Sequence, residues 1–326
     1  MISDIFKKHH SSLKDMYLFS NVIGVFVFDS QFKIIDELLF KSIDDYKNKE
    51  EFVEKLRSKH KNLEEPGEQT TQKILLQFKN SKYLGDFYSK NLELTKLDVR
   101  NSVNEDNLII QSIKSIGEID KSISLLAKRL REWYDLYNPE FSRVTESHEA
   151  FVEAIIEKKK AELLNKMNIN NEESIGAELD QEDVEQINFL ANQVHSLFQL
   201  RKNQLDYIST IMDDYSPNIK AVCDVNIAAK LIEHAGSLKR LSILPASTIQ
   251  ILGAEKALFR HMKTGAKPPR HGLIVGHSLM AKTPEKIHGK VARSLADKIS
   301  IAAKVDYFKG KFIGDKLREE LEEKFK

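Results

Sequence analysis

Two hydrophobic periods divide the chain. In the first hundred residues the apolar positions come in short runs. VIGVFVF (residues 22–28) is β-branched and aromatic, Asp29-Ser30-Gln31 reads as a turn, and FKIIDEL (residues 32–38) follows, which predicts a hairpin. Residues 49–59 carry Phe52, Val53 and Leu56 at helical spacing, and Glu64-Glu65-Pro66-Gly67 is turn chemistry. LELTKLDV (residues 92–99) alternates with period two, as a closing strand would. The expectation is a small antiparallel sheet with helical cover.

From about residue 104 the period lengthens. Ile109, Ile113, Ile116, Ile123, Ala127, Leu130, Tyr134 and Tyr137 fall on a 4-3 lattice broken only by Asp120, which is a coiled-coil seam, and Asn138-Pro139 stops it. A second helical stretch covers about residues 146–167, a polar loop 168–174, and a third helix about 181–215 with Ile187, Leu190, Val194, Leu197, Leu205, Ile208 and Met212 as its stripe. Helices this amphipathic cannot each hide a stripe alone, so they are expected to form an antiparallel hairpin. The expected dimerisation positions are Ile109, Ile113, Ile116, Ile123, Leu130, Leu190, Val194 and Leu197; an ordinary monomeric bundle fits the same pattern. After Ser216-Pro217-Asn218 come Ala-rich helices (227–235 and 291–303) around a basic, proline-containing segment, then a charged helix at 311–326. The fold class is therefore α+β: a small mixed α/β domain (1–104), a long antiparallel helical coiled coil (105–215) and an all-α basic C-terminal domain (216–326).

Composition narrows the class. Of 326 residues, 30% are charged and 41% apolar, with 13 Gly and 7 Pro, which excludes collagen-like and wholly disordered chains. The single cysteine, Cys223, can make neither an internal disulfide nor a Cys-based zinc site, and points to a reducing compartment. No apolar run approaches the ~20 residues that span a bilayer, and MISDIFKKHH lacks a signal-peptide core. The expectation is a cytoplasmic protein with no membrane contact. The net charge of +1 conceals a partition: residues 1–233 carry 31 Lys and Arg against 40 Asp and Glu, whereas residues 234–310 carry 14 against 4. A basic module of that kind points to an anionic partner.

Catalytic signatures fail. Gly276-His277-Ser278-Leu279-Met280 begins like a nucleophile elbow but has Met280 where the closing glycine is required. Thr264-Gly265-Ala266-Lys267 lacks P-loop spacing, no glycine-rich fingerprint follows residues 22–28, and the ten histidines, His9-His10 included, form no H-x-x-x-H pair. No catalytic residue, metal site or cofactor is expected. The informative stretch is GAEKALFRHMKTGAKPPRHG (residues 253–272). On a helix begun near Ala254, Lys256, Arg260 and Lys263 sit at i, i+4 and i+7, a single basic edge, with Leu258 and Met262 on another face as core anchors. Gly265 can end the helix, and Pro268-Pro269 stiffen a loop presenting Lys267, Arg270 and His271. Gly253 breaks the chain so that free N–H groups of the helix start can face an anion. A phosphate backbone suits such a surface.

At these residues the sequence resembles the Nop-domain core protein of box C/D small ribonucleoproteins in its short archaeal form. LIIQSIKSIGEIDKSISLLAKRLREWY (108–134) is similar to the family's first coiled-coil helix; LPASTIQILGAEKALFRHMKTGAKPPRHG (244–272) and GKVARSLADKISIAAKVDYF (289–308) are similar to its Nop domain. The resemblance implies a noncatalytic scaffold with four partners: box C/D guide RNA, a kink-turn-binding ribosomal-type protein, a fibrillarin-type methyltransferase docked on the N-terminal domain, and a second copy of itself. The chemistry, 2′-O-methylation of rRNA or tRNA, would belong to the methyltransferase and its S-adenosylmethionine. The family's GAEK element maps onto Gly253, Ala254, Glu255 and Lys256, and its ALFR element onto Ala257, Leu258, Phe259 and Arg260. With Lys263, Lys267, Arg270, His271, Lys290 and Arg293 these make the expected RNA-binding surface. Two departures stand out: residues 273–287 hold no Phe, Tyr or Trp where the family has several, and His288 replaces an Arg. A spliceosome-type Nop-domain factor and an RNA-modifying enzyme are the alternatives; the latter would need a cofactor fold, for which strands and glycines are too few.

Overall fold

A computed structural model describes residues 16–325. The N-terminal expectations, the absent signal core and His9-His10, lie outside the described residues. The chain divides into two compact units, residues 1–102 and 103–326.

In the first unit, β1 (Met16–Asn21), β2 (Gly24–Phe28) and β3 (Ile34–Leu39) precede α1 (Ile43–Lys47), α2 (Lys49–Lys59), β4 (Leu63–Glu64), α3 (Glu68–Gln77) and α4 (Ser81–Asn101). The sheet runs β3-β2-β1-β4, antiparallel except for a short parallel pairing of β4 with β1. Every residue of β2 is buried because both faces of the sheet are covered. Val25 and Val27 join Leu18, Phe40 and Leu56 on one side, while Phe26 and Phe28 join Ile74, Phe78 and Tyr83 on the other. Gly24 is required at the hairpin, since a Cβ there would lie 2.4 Å from the Leu38 carbonyl oxygen.

Two sequence expectations fail here. The expected hairpin is present as β2 paired antiparallel with β3, but Val22 and Ile23 are not strand: they turn the chain between β2 and an unexpected strand, β1, and Asn21 makes that turn by accepting the Ile23 N–H on Oδ1 at 2.9 Å. Residues 92–99 lie in α4, not in a strand. Their period-two pattern is overridden by Tyr83, Phe87 and Leu94, which recur at helical spacing and pack on the sheet.

The second unit is helical. The long α5 (Glu105–Tyr137) leads through α6 (Pro139–Val144), α7 (His148–Glu157) and α8 (Lys160–Lys166) to α9 (Gln181–Tyr215). Then come α10 (Pro217–Ala235), α11 (Leu238–Ile243), α12 (Ala246–Ile251), α13 (Glu255–Thr264), α14 (Ser278–Lys282), α15 (His288–Tyr307) and α16 (Gly314–Lys324). α5 and α9 pack antiparallel, and Asp120, the break in the lattice, is answered by Arg201 of α9 at 2.6 Å. The expected single helix over 146–167 is two, parted at Lys158 and Lys159, so that Lys160 sits 4.8 Å over the Tyr137 ring and reaches the Gly176 carbonyl.

The hairpin seam is consumed within one chain. Ala127, Leu130 and Val194 bury against Phe151, Val152 and Leu163 of α7 and α8, whereas Ile109, Ile113 and Ile116 join Ile208, Met212 and the C-terminal helices in the largest core. Ile123 is buried, and Leu190 and Leu197 are half-buried. Those dimerisation candidates therefore hold the hairpin together. For the same reason the expected boundary at 215/216 falls inside one compact unit.

α15 ties this core. The buried Asp306 carboxylate accepts from the Asn218 N–H at 3.0 Å, Asn218 Nδ2 at 2.7 Å and the Ile219 N–H at 2.9 Å, satisfying the open start of α10. α10 is kinked at Cys223 and Asp224 (φ 63°, ψ 160°), and the Val222 carbonyl accepts from His277 Nε2 at 3.0 Å. Among the described residues no helix is long and apolar enough to cross a membrane.

Candidate nucleic-acid interface

Residues 253–272 form an excursion from the helical core, pinned at its base. Going out, the chain turns at Gly253 with φ +86°; coming back, the Gly272 N–H donates to the Gln250 carbonyl and the Leu273 N–H to the Leu252 carbonyl, both at 2.8 Å. The two glycines are dictated by closeness. A Cβ on Gly253 would meet the Leu273 side chain at 2.5 Å, and one on Gly272 the Leu252 oxygen at 1.9 Å. Gln250 Nε2 adds a bond to the Arg270 carbonyl at 2.7 Å.

α13 fills the outgoing arm and buries no residue. Ala254 is its N-cap position, and Gly265 ends it in the left-handed region at φ +68°, its N–H donating to the His261 carbonyl at 2.9 Å. His261 Nδ1 bonds the Ala266 carbonyl, which folds the loop back against the helix. Lys256, Arg260 and Lys263 lie on one edge, Lys267 and Arg270 on the loop, and all five are exposed. Among the described residues none of them forms an ion pair. Five cations without counter-charge on a pinned arm leave a phosphate chain little local competition for them.

The loop end approaches α15. The His271 ring lies 6.3 Å from that of His288 in a T-shaped arrangement, and Lys290 and Arg293 are exposed on the first turns of that helix. Burial, then the neighbouring His288 and Arg270, hold the His271 imidazole below its ordinary range.

Two expectations are corrected. Met262 is 71% exposed and Leu258 only half-buried, so neither anchors α13 to the core. At the turn into α13, Glu255 accepts the Gly253 N–H on Oε1 at 2.7 Å. Burial pushes that carboxyl up, but bonds from the Gly253 and Glu255 amides outweigh it and keep it ionised below its ordinary value. Glu255 thus closes the turn.

The family model described as "Nop: snoRNA binding domain, fibrillarin" matches residues 115–326. The chain belongs to the Nop family. Among curated Nop relatives it is 38% identical over 244 residues to an uncharacterized NOP5 family protein of Methanocaldococcus jannaschii, covering 70% of this chain and 59% of that protein. It is 36% identical over 265 residues to nucleolar protein 56 of Caenorhabditis elegans, covering 74% of this chain and 54% of that one. The chain thus spans little more than half the length of these relatives. A chain in a solved fibrillarin/Nop5p complex is 24% identical, with a TM-score of 0.43, over 94% of this chain and 98% of that one.

Sequence reasoning missed one feature of this Nop surface. Phe259 is 60% exposed and, with Met262, flanks the basic edge as an apolar strip. The signal was present: Ala257, Leu258, Phe259 and Met262 cover more of the helix circumference than one buried face needs. It also left His277 without a role. His277 Nδ1 accepts the Leu279 N–H at 3.1 Å, capping α14, while Nε2 holds the kink in α10.

Proposed function

We propose that this chain is the scaffold of a box C/D guide ribonucleoprotein. The C-terminal basic surface binds guide RNA together with a kink-turn-binding protein. Residues 1–102 recruit a fibrillarin-type methyltransferase, which brings S-adenosylmethionine and carries out 2′-O-methylation of rRNA or tRNA; the scaffold itself is noncatalytic and works in the cytoplasm. The observation that carries the reading is the pinned arm of residues 253–272, whose five basic side chains have no acidic partners among the described residues. Family membership and the separate core of the first unit support the division of labour.

A second copy of the chain meets the outer face of the hairpin. Phe189, Leu200 and Tyr207 of α9 are exposed at spacings of 11 and 7, which superpose within about 20° on a helix. The test is retention of the purified chain on kink-turn RNA pre-bound by its protein, against a polyglutamate resin at the same moderate salt. Selective retention on the RNA is expected. Equal retention on both would reduce the arm to a non-specific cation exchanger.

A further inference from the structure

A second basic feature lies away from α13. On α5, Lys114, Lys121 and Lys128 recur every seven residues, all exposed, in a straight row about 21 Å long at 1.5 Å per residue. Beside the first two runs a groove of about 470 Å³ between α5 and α10, into which Lys230 and His234 also project. Leu273, at the foot of the 253–272 arm, lines the same groove, so the row and the arm are continuous on one unit. Two carboxylates line it as well. Glu118 pairs with Lys121 at 2.9 Å and Glu233 with His234 at 3.4 Å. The Glu118–Lys121 pair is three-quarters exposed on both sides, and such a pair holds its lysine only weakly. Lys114, Lys128 and Lys230 form no ion pair among the described residues.

We propose that this row is a docking track for a double-helical stretch of RNA continuing from the RNA held by the arm, a reading that rests on the RNA-binding function above. Its chemistry favours duplex over single strand. Proteins that hold single strands offer aromatic side chains on which bases stack, and no Phe, Tyr or Trp lines the groove. A straight, evenly spaced row on a rigid helix instead matches the regular phosphate backbone of a duplex, which proteins contact by shape and charge.

The test uses the full chain and three RNAs pre-bound by the kink-turn protein: a minimal kink-turn hairpin, the same hairpin with a ten-base-pair arm, and the same with a single-stranded arm. Affinity is read against salt for the wild type, for the triple variant Lys114→Ala, Lys121→Ala, Lys128→Ala, and for the triple Lys→Arg variant. The wild type should gain about 2 to 3 units of log-log salt slope from the duplex arm, close to one per phosphate contact. The alanine variant should lose that gain and keep wild-type affinity for the minimal hairpin, and the arginine variant should restore it. An alanine variant that binds the duplex-armed RNA like the wild type overturns the track, as does equal loss on all three RNAs or an equal gain from the single-stranded arm. Failure of the wild type on the minimal hairpin would instead strike the RNA-binding reading itself.

Discussion

His277 illustrates what one residue can and cannot disclose in sequence. Gly276 to Met280 is visibly not a nucleophile elbow, but nothing in the string reveals that both ring nitrogens are spent, one capping α14 and the other holding the kink of α10. That information is carried by Val222, 55 positions away. Burial holds this imidazole below its ordinary value of 6.5, ahead of the weaker pulls of the Val222 carbonyl and Asp224. The unfolded chain therefore takes up a proton first as pH falls, and stability is lost as pH drops through about 6.5 and below. Urea midpoints measured between pH 8 and 5 should fall for the wild type, and His277→Gln should flatten that part of the profile while lowering stability at pH 8. Asp36 acts in the opposite range. Bonds from Lys59 and His60 hold its carboxyl at about 2, so its contribution is complete above the ordinary 3.8 and disappears as pH falls through about 2. Removing the Asp306 carboxylate is the severe case. Asp306→Ala leaves three buried donors unanswered and should cost about 2 to 4 kcal/mol in chemical denaturation.

Elements were legible where a single period ran long. α9 and α2 span the ranges expected from the sequence, and α5 does so within a residue, because a helix of ten residues or more repeats its signal several times. Residues 92–99 show the opposite. Eight residues satisfy period two by chance, and only the longer register from Tyr83 to Leu94 identifies α4. For the hairpin the sequence displayed one set of apolar residues and the structure separates it into two. Ile113→Asp should therefore cost about 3 kcal/mol or more and melt the hairpin, since it buries an unpaired charge in the main core. Phe189→Glu with Leu200→Glu should leave helicity intact by circular dichroism while halving the mass in sedimentation. The arm makes a similar distinction between charge and shape. Lys256→Ala with Arg260→Ala should flatten the salt slope for RNA by about 1 unit per lost contact. Gly272→Ala should weaken binding at an unchanged slope, because it displaces the arm from the Leu252 carbonyl without touching a cation.

The plan of the whole molecule was written in its charge: an acidic start and a basic end are visible by counting, and the boundary near residue 103 emerges from the change of period. The boundary at 215/216 was not legible, because a coiled coil and a core helix share the same 4-3 spacing. Only packing reveals that Ile109, Ile113, Ile116, Ile208 and Met212 complete the C-terminal core. The two possible cuts therefore have different outcomes. Residues 216–326 alone lack five buried side chains of that core and should behave as a loosely packed state, binding hydrophobic dye and losing near-ultraviolet dichroism. Residues 103–326 retain the complete core and both basic features, so they should unfold cooperatively and hold kink-turn RNA with its protein as the full chain does. The first unit carries its own core on both faces of the sheet and should also fold alone. Reconstituted from purified parts, residues 103–326 should retain RNA yet support no methyl transfer from labelled S-adenosylmethionine, and residues 1–102 should capture the methyltransferase without RNA. Methylation sustained by residues 103–326, or methyl transfer by the full chain without the enzyme, would contradict the scaffold reading. Adding the two pieces together should not restore the reaction, because recruitment requires that the methyltransferase-binding unit and the RNA-binding unit belong to one chain.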